Sequence, residues 1–430
     1  MKTSKKQIGI LSILVCILLV TVSFAGCAKK AYPQGQAPTK TGEKVKLDVV
    51  SWWDINKEKP LQEIKEAFEK AHPNIELNFI QVPSKGYYDK LLTMIAGGQP
   101  PDIAMLAMDQ YPAYVEKGAL TCLDRWITDD YKKDLWPVAL KILTYKGSIY
   151  GVPRDLTCNV MYYNKKLFDE AKVPYPKEGW TWNDFLDICQ KLTKRDGSGK
   201  VIQWGYHYAG YPDAYYDWLL QNNGGFVSED GKRCILTNPE SIEALQFLVD
   251  LRYKYKVAPT PEEAKQFGES SIAPFESGKV AMFTGGASRM FSLTKAGLDY
   301  DVAPLPKGKR QATRVFAILW VMPKGCKHPE EAWKVLSFLG GKEGQQLVVN
   351  TGMGNSALKS TDNSKFLTPP PANKKVFIDS FNYGEPFPMV KNREVWKEIE
   401  QGLDLMWLGK QPVKEAAEAV AKKVDMLLKE

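Results

Sequence analysis

Histidine is scarce in this 430-residue sequence, where it occurs only as His72, His207 and His328. The three are far apart, and the sequence holds no G-x-S-x-G nucleophile motif, no H-E-x-x-H zinc motif and no G-x-x-x-x-G-K-[ST] phosphate loop. We therefore expect neither a histidine-activated nucleophile nor a metal site, and we predict no cofactor. His207 lies among aromatic residues, where a packed or surface role is favoured over ligand contact.

Long apolar runs are also absent, except for residues 8–24. This run is shorter than the roughly 20 residues that span a bilayer, and it follows Lys2, Lys5 and Lys6. A charged start, an apolar run and small residues before Cys27 are typical of a signal peptide, predicted over 1–26. An uncleaved anchor is the alternative.

The four residues Phe24-Ala25-Gly26-Cys27 resemble a bacterial lipobox, whose cysteine becomes the lipid-modified N-terminus. The first position of a lipobox usually holds Leu, Val or Ile, whereas this chain has Phe24 there. The resemblance implies lipidation at Cys27. Residues 27–44 contain almost no large apolar side chain and predict a flexible tether. We expect the protein at the extracellular face of the cell membrane, held there by its N-terminal lipid.

Cysteine is sparse, with seven in the chain. Cys16 lies in the predicted signal peptide and Cys27 is the predicted lipid site, which leaves five in the mature chain. Five is an odd number, and no pair shows the C-x-x-C spacing of a metal site. We expect mostly buried free thiols, and a disulfide stays open.

No charge stripe occurs. The formal net charge is +8, and it falls to +5 when the three lysines of the signal are removed. Lys and Arg are dispersed among Asp and Glu along the chain, which argues against a nucleic-acid partner. About 400 mature residues exceed what one core normally holds, so the length predicts two domains.

The apolar periodicity predicts an α/β protein. A strand-like run over 46–56 is followed by a helix from Pro60 with an apolar face, and then by alternating residues 75–80. Thr181 is placed to cap a helix, and further helices are predicted from Pro239, from Pro329 and near the C-terminus. This alternation is typical of largely parallel sheets covered by helices.

Aromatic residues are abundant, with 12 Trp and 20 Tyr. The stretch 204–225 alone supplies Tyr206, Tyr208 and Trp218 next to Gly224-Gly225. A ring face beside polar groups suits a sugar, whose C–H face packs on the ring while its hydroxyls form hydrogen bonds. The same rings also fill cores, and for any one of them the two roles are about equally expected. A third possible role of the tyrosines is to bind ferric iron in pairs, and the high tryptophan content argues against it.

Several carboxylates end apolar runs and are candidates for a site: Asp54, Asp109, Asp155, Asp213 and Glu276. Two carboxylates at a fixed separation are enough for glycoside hydrolysis. Carboxylates also bind sugar hydroxyls without any reaction, and the sequence does not give their separation. An enzyme and a receptor therefore both stay open at this point.

Several stretches together resemble one family over nearly all of the mature chain. In order, they read VVSWWD…LQEIKEAFEKAHPNIELNFI, KLLTMIAGGQPPDIAML, VEKGALTCLD, YKGSIYGVPRDLTCNVMYYNKKLFDEAKV, GWTWNDFLDICQKLT, FESGKVAMFTGG, HPEEAWKVLSFL and GKQPVKEAAEAVAKKV. The chain resembles bacterial extracellular solute-binding proteins that serve sugar transporters of the ATP-binding-cassette (ABC) class and are related to maltose-binding proteins. The resemblance implies a two-lobed, periplasmic-binding-protein-like α/β fold of type II, with hinge crossings.

The resemblance also implies where the lobes divide. The N-terminal lobe is expected at 45–152 plus 284–322, and the C-terminal lobe at 153–283 plus 323–430. By the same resemblance, the first crossing is expected at 150–153, the second near 283–286 and the third near 321–327. Gly151 and Pro153 in the first crossing suit a chain that must bend between lobes.

The residues expected to contact ligand follow from the same resemblance. Some end strands of the N-terminal lobe, some follow the first crossing, some supply ring faces, and some flank the second crossing or close the far wall. The set is Trp52, Trp53, Asp54, Asp109, Arg154, Asp155, Asn159, Tyr206, Tyr208, Trp218, Glu276, Gly286, Arg289, Trp320 and Tyr383.

The expected function is that of a non-enzymatic, lipid-anchored receptor. Its lobes close on a carbohydrate, expected to be a di- or oligosaccharide, and the loaded protein docks as a monomer on a membrane permease of an ABC transporter. Two alternatives stay open: a secreted glycoside hydrolase, and a surface protein for sugar sensing or adhesion.

Overall fold

The structure is a computed structural model, and it describes residues 44–267, 272–352 and 354–429. The predicted signal peptide over 1–26, the lipid site Cys27 and all of the predicted tether except Lys44 lie outside the described residues.

The described residues form thirteen strands and eighteen α-helices. The strands are β1 Val45–Ser51, β2 Ile75–Gln81, β3 Ile103–Ala107, β4 Thr144–Tyr145, β5 Ser148–Ile149, β6 Gly151–Cys158, β7 Val160–Asn164, β8 Lys194–Arg195, β9 Val201–His207, β10 Val280–Gly285, β11 Tyr300–Ala303, β12 Thr313–Val321 and β13 Gly384–Pro386. The helices are α1 Lys59–Ala71, α2 Tyr87–Ala96, α3 Tyr111–Glu116, α4 Asp129–Asp134, α5 Pro137–Leu143, α6 Lys165–Ala171, α7 Trp182–Leu192, α8 Pro212–Gln221, α9 Pro239–Tyr253, α10 Pro261–Ala264, α11 Ala273–Glu276, α12 Arg289–Lys295, α13 Pro329–Gly340, α14 Lys342–Thr351, α15 Lys375–Asp379, α16 Glu394–Gly402, α17 Asp404–Trp407 and α18 Val413–Leu427.

The first sheet has the strand order β13-β12-β3-β1-β2, and β6 pairs along the other side of β12. Strands β2, β1 and β3 are parallel, whereas β12 runs antiparallel to both β3 and β6. Every residue of β3 is buried, as expected for a central strand covered on both faces. Leu61, Ile64 and Phe68 of α1 pack with Val335 and Leu336 of α13 on one face of this sheet.

The second sheet has the order β11-β7-β10-β9-β8. Strands β9 and β10 are parallel, and β7 is antiparallel to its neighbours β10 and β11. The rings of Tyr162 and Phe283 stack at 4.8 Å between β7 and β10. Both sheets are therefore mixed and flanked by helices. The predicted α/β class is confirmed, but the expectation of largely parallel sheets is wrong, because β12 runs antiparallel to β3 and β6, and β7 runs antiparallel to β10 and β11.

The predicted helix cap at Thr181 is confirmed. The Thr181 hydroxyl accepts a hydrogen bond from the Asp184 N–H, and the Asp184 carboxylate accepts one from the Thr181 N–H. This capping box satisfies two backbone donors that the first turn of α7 leaves without a partner. Phe185, Cys189 and Leu192 then form the buried face of the helix.

The points where the chain passes from one sheet to the other do not coincide with the predicted lobe boundaries. All of β6 pairs with β12 in the first sheet, so a boundary at 152/153 falls inside this strand. The boundary at 283/284 likewise falls inside β10, in the second sheet. The chain passes from the first sheet to the second at Asn159, between β6 and β7. It returns between β11 and β12.

Pro153 explains the difference at the first boundary. The sequence predicts a bend at Pro153, but in the structure this residue lies within β6 opposite Leu319, next to a register shift between Ile318 and Leu319. A bulge tolerates a residue that has no N–H to donate. The strand therefore continues through Pro153, and the change of sheet is delayed to Asn159.

Cys158, Cys189 and Cys234 are buried free thiols, and Cys326 is a half-buried one. The predicted buried thiols are thus confirmed at three positions. Within 44–267, 272–352 and 354–429, no helix is long and apolar enough to cross a membrane. The same residues contain no group of three or more His, Cys, Asp or Glu side chains arranged to hold a metal ion.

Candidate ligand-binding cavity

A polar cavity of about 260 Å³ lies where the second sheet meets the crossing at Asn159. Strands β9 and β10 are parallel, so their carboxyl ends reach the same edge of the sheet, and their following loops form one wall. The N-terminal turn of α8 and the start of β12 add the rest. The lining residues are Thr157, Asn159, His207, Tyr208, Ala209, Tyr211, Asp213, Ala214, Phe283, Thr284, Gly285, Gly286, Ser288, Arg289 and Arg314.

Gly286 allows the wall after β10 to approach the crossing closely. A Cβ atom at this position would lie 2.8 Å from the Thr157 hydroxyl oxygen, which is too close for any side chain. The Gly286 carbonyl accepts a hydrogen bond of 2.8 Å from the Tyr162 hydroxyl, which fixes the loop to β7. The glycine therefore sets the width of the cavity at this point.

A buried carboxylate, Asp217 of α8, ties both crossings to one helix. It accepts hydrogen bonds from the Asn159 side-chain Nδ2 at 2.8 Å, the backbone N–H of Arg314 at 2.6 Å and the Thr313 hydroxyl at 3.3 Å. Thr313 also donates to the Asn159 carbonyl at 2.7 Å. Because its Nδ2 is engaged, Asn159 keeps its Oδ1 to accept a hydrogen bond from a ligand hydroxyl.

Asp217 is fully buried, with 0% of its surface exposed. Burial raises the pKa of its carboxyl group, and the hydrogen bond from the Arg314 N–H opposes that rise. The three donors are what make a carboxylate tolerable at this depth.

The charged groups in the lining are unequal in number. The Arg314 Nη1 lies 3.7 Å from the Asp213 Oδ1, so these two form a pair. The buried Nε of Arg314 has no hydrogen-bond partner. Arg289 forms no ion pair with any residue in the described parts of the chain, and its stem lies over Gly285. Among the charged side chains of the lining, the two arginines therefore outnumber the single carboxylate.

His207 adds no positive charge at neutral pH. Burial, with a contribution from the nearby Arg252, lowers the pKa of His207 to about 4. The Arg252 guanidinium lies 3.9 Å from the centre of the Tyr208 ring, and its Nη2 donates to the Tyr208 carbonyl at 2.9 Å. The neutral imidazole offers one donor and one acceptor to the cavity.

Four residues of the predicted set line the cavity: Asn159, Tyr208, Gly286 and Arg289. Asp213, named among the candidate carboxylates, lines it as well. Sequence reasoning missed Arg314 and Thr157. The period-two pattern of TRVFAILWV (313–321) would have assigned Arg314 to a strand, but only the pairing of β12 with β6 brings it to the crossing.

Another part of the predicted set lies at the carboxyl edge of the first sheet. Trp52 packs edge-on against Tyr87 and Tyr88, with ring centres 5.1 and 6.2 Å apart. The Asp109 carboxylate lies 3.7 Å from the Arg393 guanidinium. Burial raises the pKa of Asp109, and the positive charge of Arg393 opposes this rise. Asp54 lies beyond Trp53 and pairs with an exposed lysine.

Arg154 and Asp155 do not line the cavity. They are only 3% and 7% exposed and form an ion pair with each other, and the Arg154 guanidinium lies 4.1 Å from the centre of the Trp53 ring. Burial lowers the pKa of Arg154 and raises that of Asp155, while their mutual attraction opposes both shifts. The pair therefore belongs to the packed interior around β6 of the first sheet.

The remaining predicted residues also lie away from the lining. Tyr206, Trp218 and Trp320 are buried in the cores, although the Tyr206 hydroxyl lies 3.2 Å from that of Thr284, which lines the cavity. Glu276 ends α11, before β10, whereas the cavity lies after that strand. Tyr383 contacts the Ser380 hydroxyl at 2.9 Å.

Comparison with known proteins shows the family. A family model described as "bacterial extracellular solute-binding protein" matches residues 39–346 of this chain. A galactooligosaccharide-binding protein of Bacillus subtilis is 24% identical over 98% of this chain and 97% of its own length. A maltooligosaccharide ABC transporter solute-binding lipoprotein of Streptococcus pneumoniae is 26% identical over 80% of this chain and 79% of its own.

A solved structure supports the same assignment. An ABC substrate-binding protein from Listeria monocytogenes, in complex with cycloalternan, superposes with a TM-score of 0.78 at 27% identity, covering 89% of this chain and 99% of its own. The predicted periplasmic-binding-protein-like fold is therefore confirmed. The prediction of a receptor instead of an enzyme is confirmed too, since the family consists of solute receptors. The chain belongs to the bacterial extracellular solute-binding protein family.

Proposed function

We propose that this protein is the lipid-anchored receptor of a sugar ABC transporter, and that it binds a di- or oligosaccharide in the cavity at the crossings. The observation that carries the proposal is the cavity itself. It brings amide, hydroxyl and charged groups together beside the Tyr208 and Tyr211 rings, which is the combination that a sugar ring and its hydroxyls require.

The names of the similar proteins agree with this ligand class. They bind galactooligosaccharide, maltooligosaccharide and, in a crystal, cycloalternan. Trp52 and Tyr88 lie on the side of Asp109, outside the cavity lining, and would offer further ring faces to a ligand longer than one sugar unit. This extension supports an oligosaccharide.

The proposal includes two lobes, one around each sheet, that move about the crossings. Strand pairing supports boundaries at Asn159 and within 304–312, in place of those predicted from the sequence. A ligand that touches residues of both lobes binds the closed form more tightly and therefore shifts the population towards it. The closed, loaded monomer then presents one surface to the membrane permease.

Lipid anchoring at Cys27 completes the proposal. The Streptococcus pneumoniae relative is described as a lipoprotein, which supports the lipobox reading of Phe24 to Cys27. Expression of the full-length chain with Cys27 and with Cys27→Ala tests this part. The unchanged chain should enter the detergent phase in a phase-separation assay and the variant the aqueous phase. Equal partition of both would contradict lipidation.

Binding is tested by a thermal-shift screen of the purified protein over a library of neutral and acidic di- and oligosaccharides. A ligand that binds only the native state adds about 2.7 kcal/mol at a hundredfold excess over its Kd. Asp213→Asn should weaken the response, whereas the same change at the exposed Asp187 should not. A library in which no saccharide raises Tm would refute the proposal.

A further inference from the structure

The distribution of charge in the cavity points to a narrower class of ligand. Neutral sugars present hydroxyl groups, which donate as readily as they accept. A site for them needs acceptors in proportion to donors. The lining has one carboxylate, Asp213, and it lies 3.7 Å from a guanidinium nitrogen of Arg314. Negatively charged acceptors are therefore few on the side chains of this wall.

Arg289 is the surplus cation. It is half-buried at the cavity wall, and no ion pair joins it to an acid anywhere in the described residues. The neighbouring acid on the first-sheet side, Asp109, has its own counter-ion, Arg393, at 3.7 Å. Asp213 and Asp109 thus each have an arginine beside them, whereas Arg289 has no acid within ion-pair distance among the described residues.

Two further groups add to this imbalance. The buried Nε of Arg314 has no hydrogen-bond partner, so one N–H of a cavity-lining guanidinium is unused. Behind the wall, Arg252 is 4% exposed, and its Nε and Nη1 also have no partner. A buried cation without an acid raises the local potential, and a buried donor without an acceptor costs free energy until a ligand supplies one.

We propose that the cavity selects a saccharide that carries an oxyanion, such as a uronic acid carboxylate or a sulfate ester, and that Arg289 is the residue that recognises it. This inference rests on the proposed function. A guanidinium binds a planar carboxylate or a sulfate through two parallel N–H bonds, and hydrogen bonds of this kind are stronger than those to neutral hydroxyls. The anionic group would lie between Arg289 and the unused N–H of Arg314. The remaining hydroxyls would contact Asn159 and Asp213.

Matched disaccharides test this proposal. Each pair differs only at one C6, which carries a hydroxymethyl group in one member and a carboxylate in the other, and a third arm carries a C6 sulfate. Binding to the purified protein is measured by isothermal titration calorimetry at low and at physiological salt. We expect an anionic member to bind at least about tenfold more tightly than its neutral partner. Only the anionic members should weaken as salt rises.

Variants of Arg289 test whether this residue causes the preference for anionic saccharides. Arg289→Gln should lower the ratio of anionic to neutral affinity about tenfold, and Arg289→Lys, which keeps the charge but loses the planar fork, should give an intermediate ratio. Arg233→Gln makes the same chemical change at an exposed loop position and should leave the ratio as in the unmodified protein.

The outcomes separate the two proposals. Tighter binding of the carboxylate or of the sulfate supports the inference and identifies which oxyanion the cavity recognises. Neutral members that bind as tightly as both anionic ones, or a ratio that Arg289→Gln leaves unchanged, would overturn the inference while the sugar-receptor function stands. If no member of any pair binds, the proposed function itself fails.

Discussion

The Asp217 carboxylate offers the most demanding test of how the crossings are held. It is fully buried and accepts from Asn159 at 2.8 Å, from the Arg314 N–H at 2.6 Å and from Thr313 at 3.3 Å. Asp217→Ala removes the acceptor and leaves these donors in a dry site. Each buried donor left without a partner costs about 1–3 kcal/mol.

The net cost is smaller than the sum of three such losses. Thr313 keeps its bond to the Asn159 carbonyl, and the variant no longer bears the cost of burying a carboxylate. We therefore expect Asp217→Ala to lower the free energy of unfolding by about 3 kcal/mol. Asp217→Asn keeps one acceptor oxygen and should lose about half as much. The uncharged amide also avoids the cost of burying a charge, the same burial that raises the pKa of the carboxyl.

Urea unfolding followed by circular dichroism measures both variants, and saccharide titration measures the cavity. The Asn159 side chain loses the bond that orients it, so Asp217→Ala should also weaken saccharide binding at a temperature where the variant is fully folded. Asp184→Ala, which removes a surface helix cap on α7, serves as the control that lowers stability without touching the crossings. An unchanged urea midpoint together with unchanged affinity in Asp217→Ala would refute this reasoning.

Three further predictions concern stability. Burial lowers the pKa of His207 to about 4, below its usual value in the unfolded chain. The unfolded state therefore binds the extra proton, and stability should fall between about pH 6.5 and pH 4, by at most about 3 kcal/mol. His207→Asn should flatten this part of the Tm–pH profile, and identical profiles would contradict it. A Cβ at Gly205 would lie 2.4 Å from the Cys189 carbonyl oxygen, so Gly205→Ala should destabilise by about 1–3 kcal/mol in urea unfolding. Arg154→Ala strands the buried Asp155 carboxyl and should cost about 3–5 kcal/mol, whereas the joint change to Met and Leu should cost less; a double variant as unstable as the single one would argue against the ion-pair explanation.

Local features of the fold were predictable because their causes are local. The cap at Thr181 depends on a residue three positions later, and the start of α9 depends on Pro239 at its first position. Apolar spacing likewise predicted α1 within one residue of its start. The crossings were harder, because Pro153 is accommodated by a bulge that only the partner strand β12 reveals.

The site was predictable where strand ends supply it and unpredictable where pairing between distant segments does. Asn159 follows β6 of the first sheet and Arg289 follows β10 of the second, and both were named from the sequence. Arg314 reaches the cavity because β12 pairs with β6 in the first sheet, although the strands of the second sheet lie between them in the sequence. Aromatic residues carry no signal that separates core from cavity: Tyr206 is buried in the core, while Tyr208, two positions later, lines the cavity.

A crystal structure of the protein with the saccharide that gives the largest thermal shift tests the central claim most directly. We expect a sugar unit between the two sheets, within hydrogen-bond distance of Asn159, Asp213 and Arg289. A saccharide bound elsewhere on the protein, with these three side chains contacting only protein or water, would contradict the account.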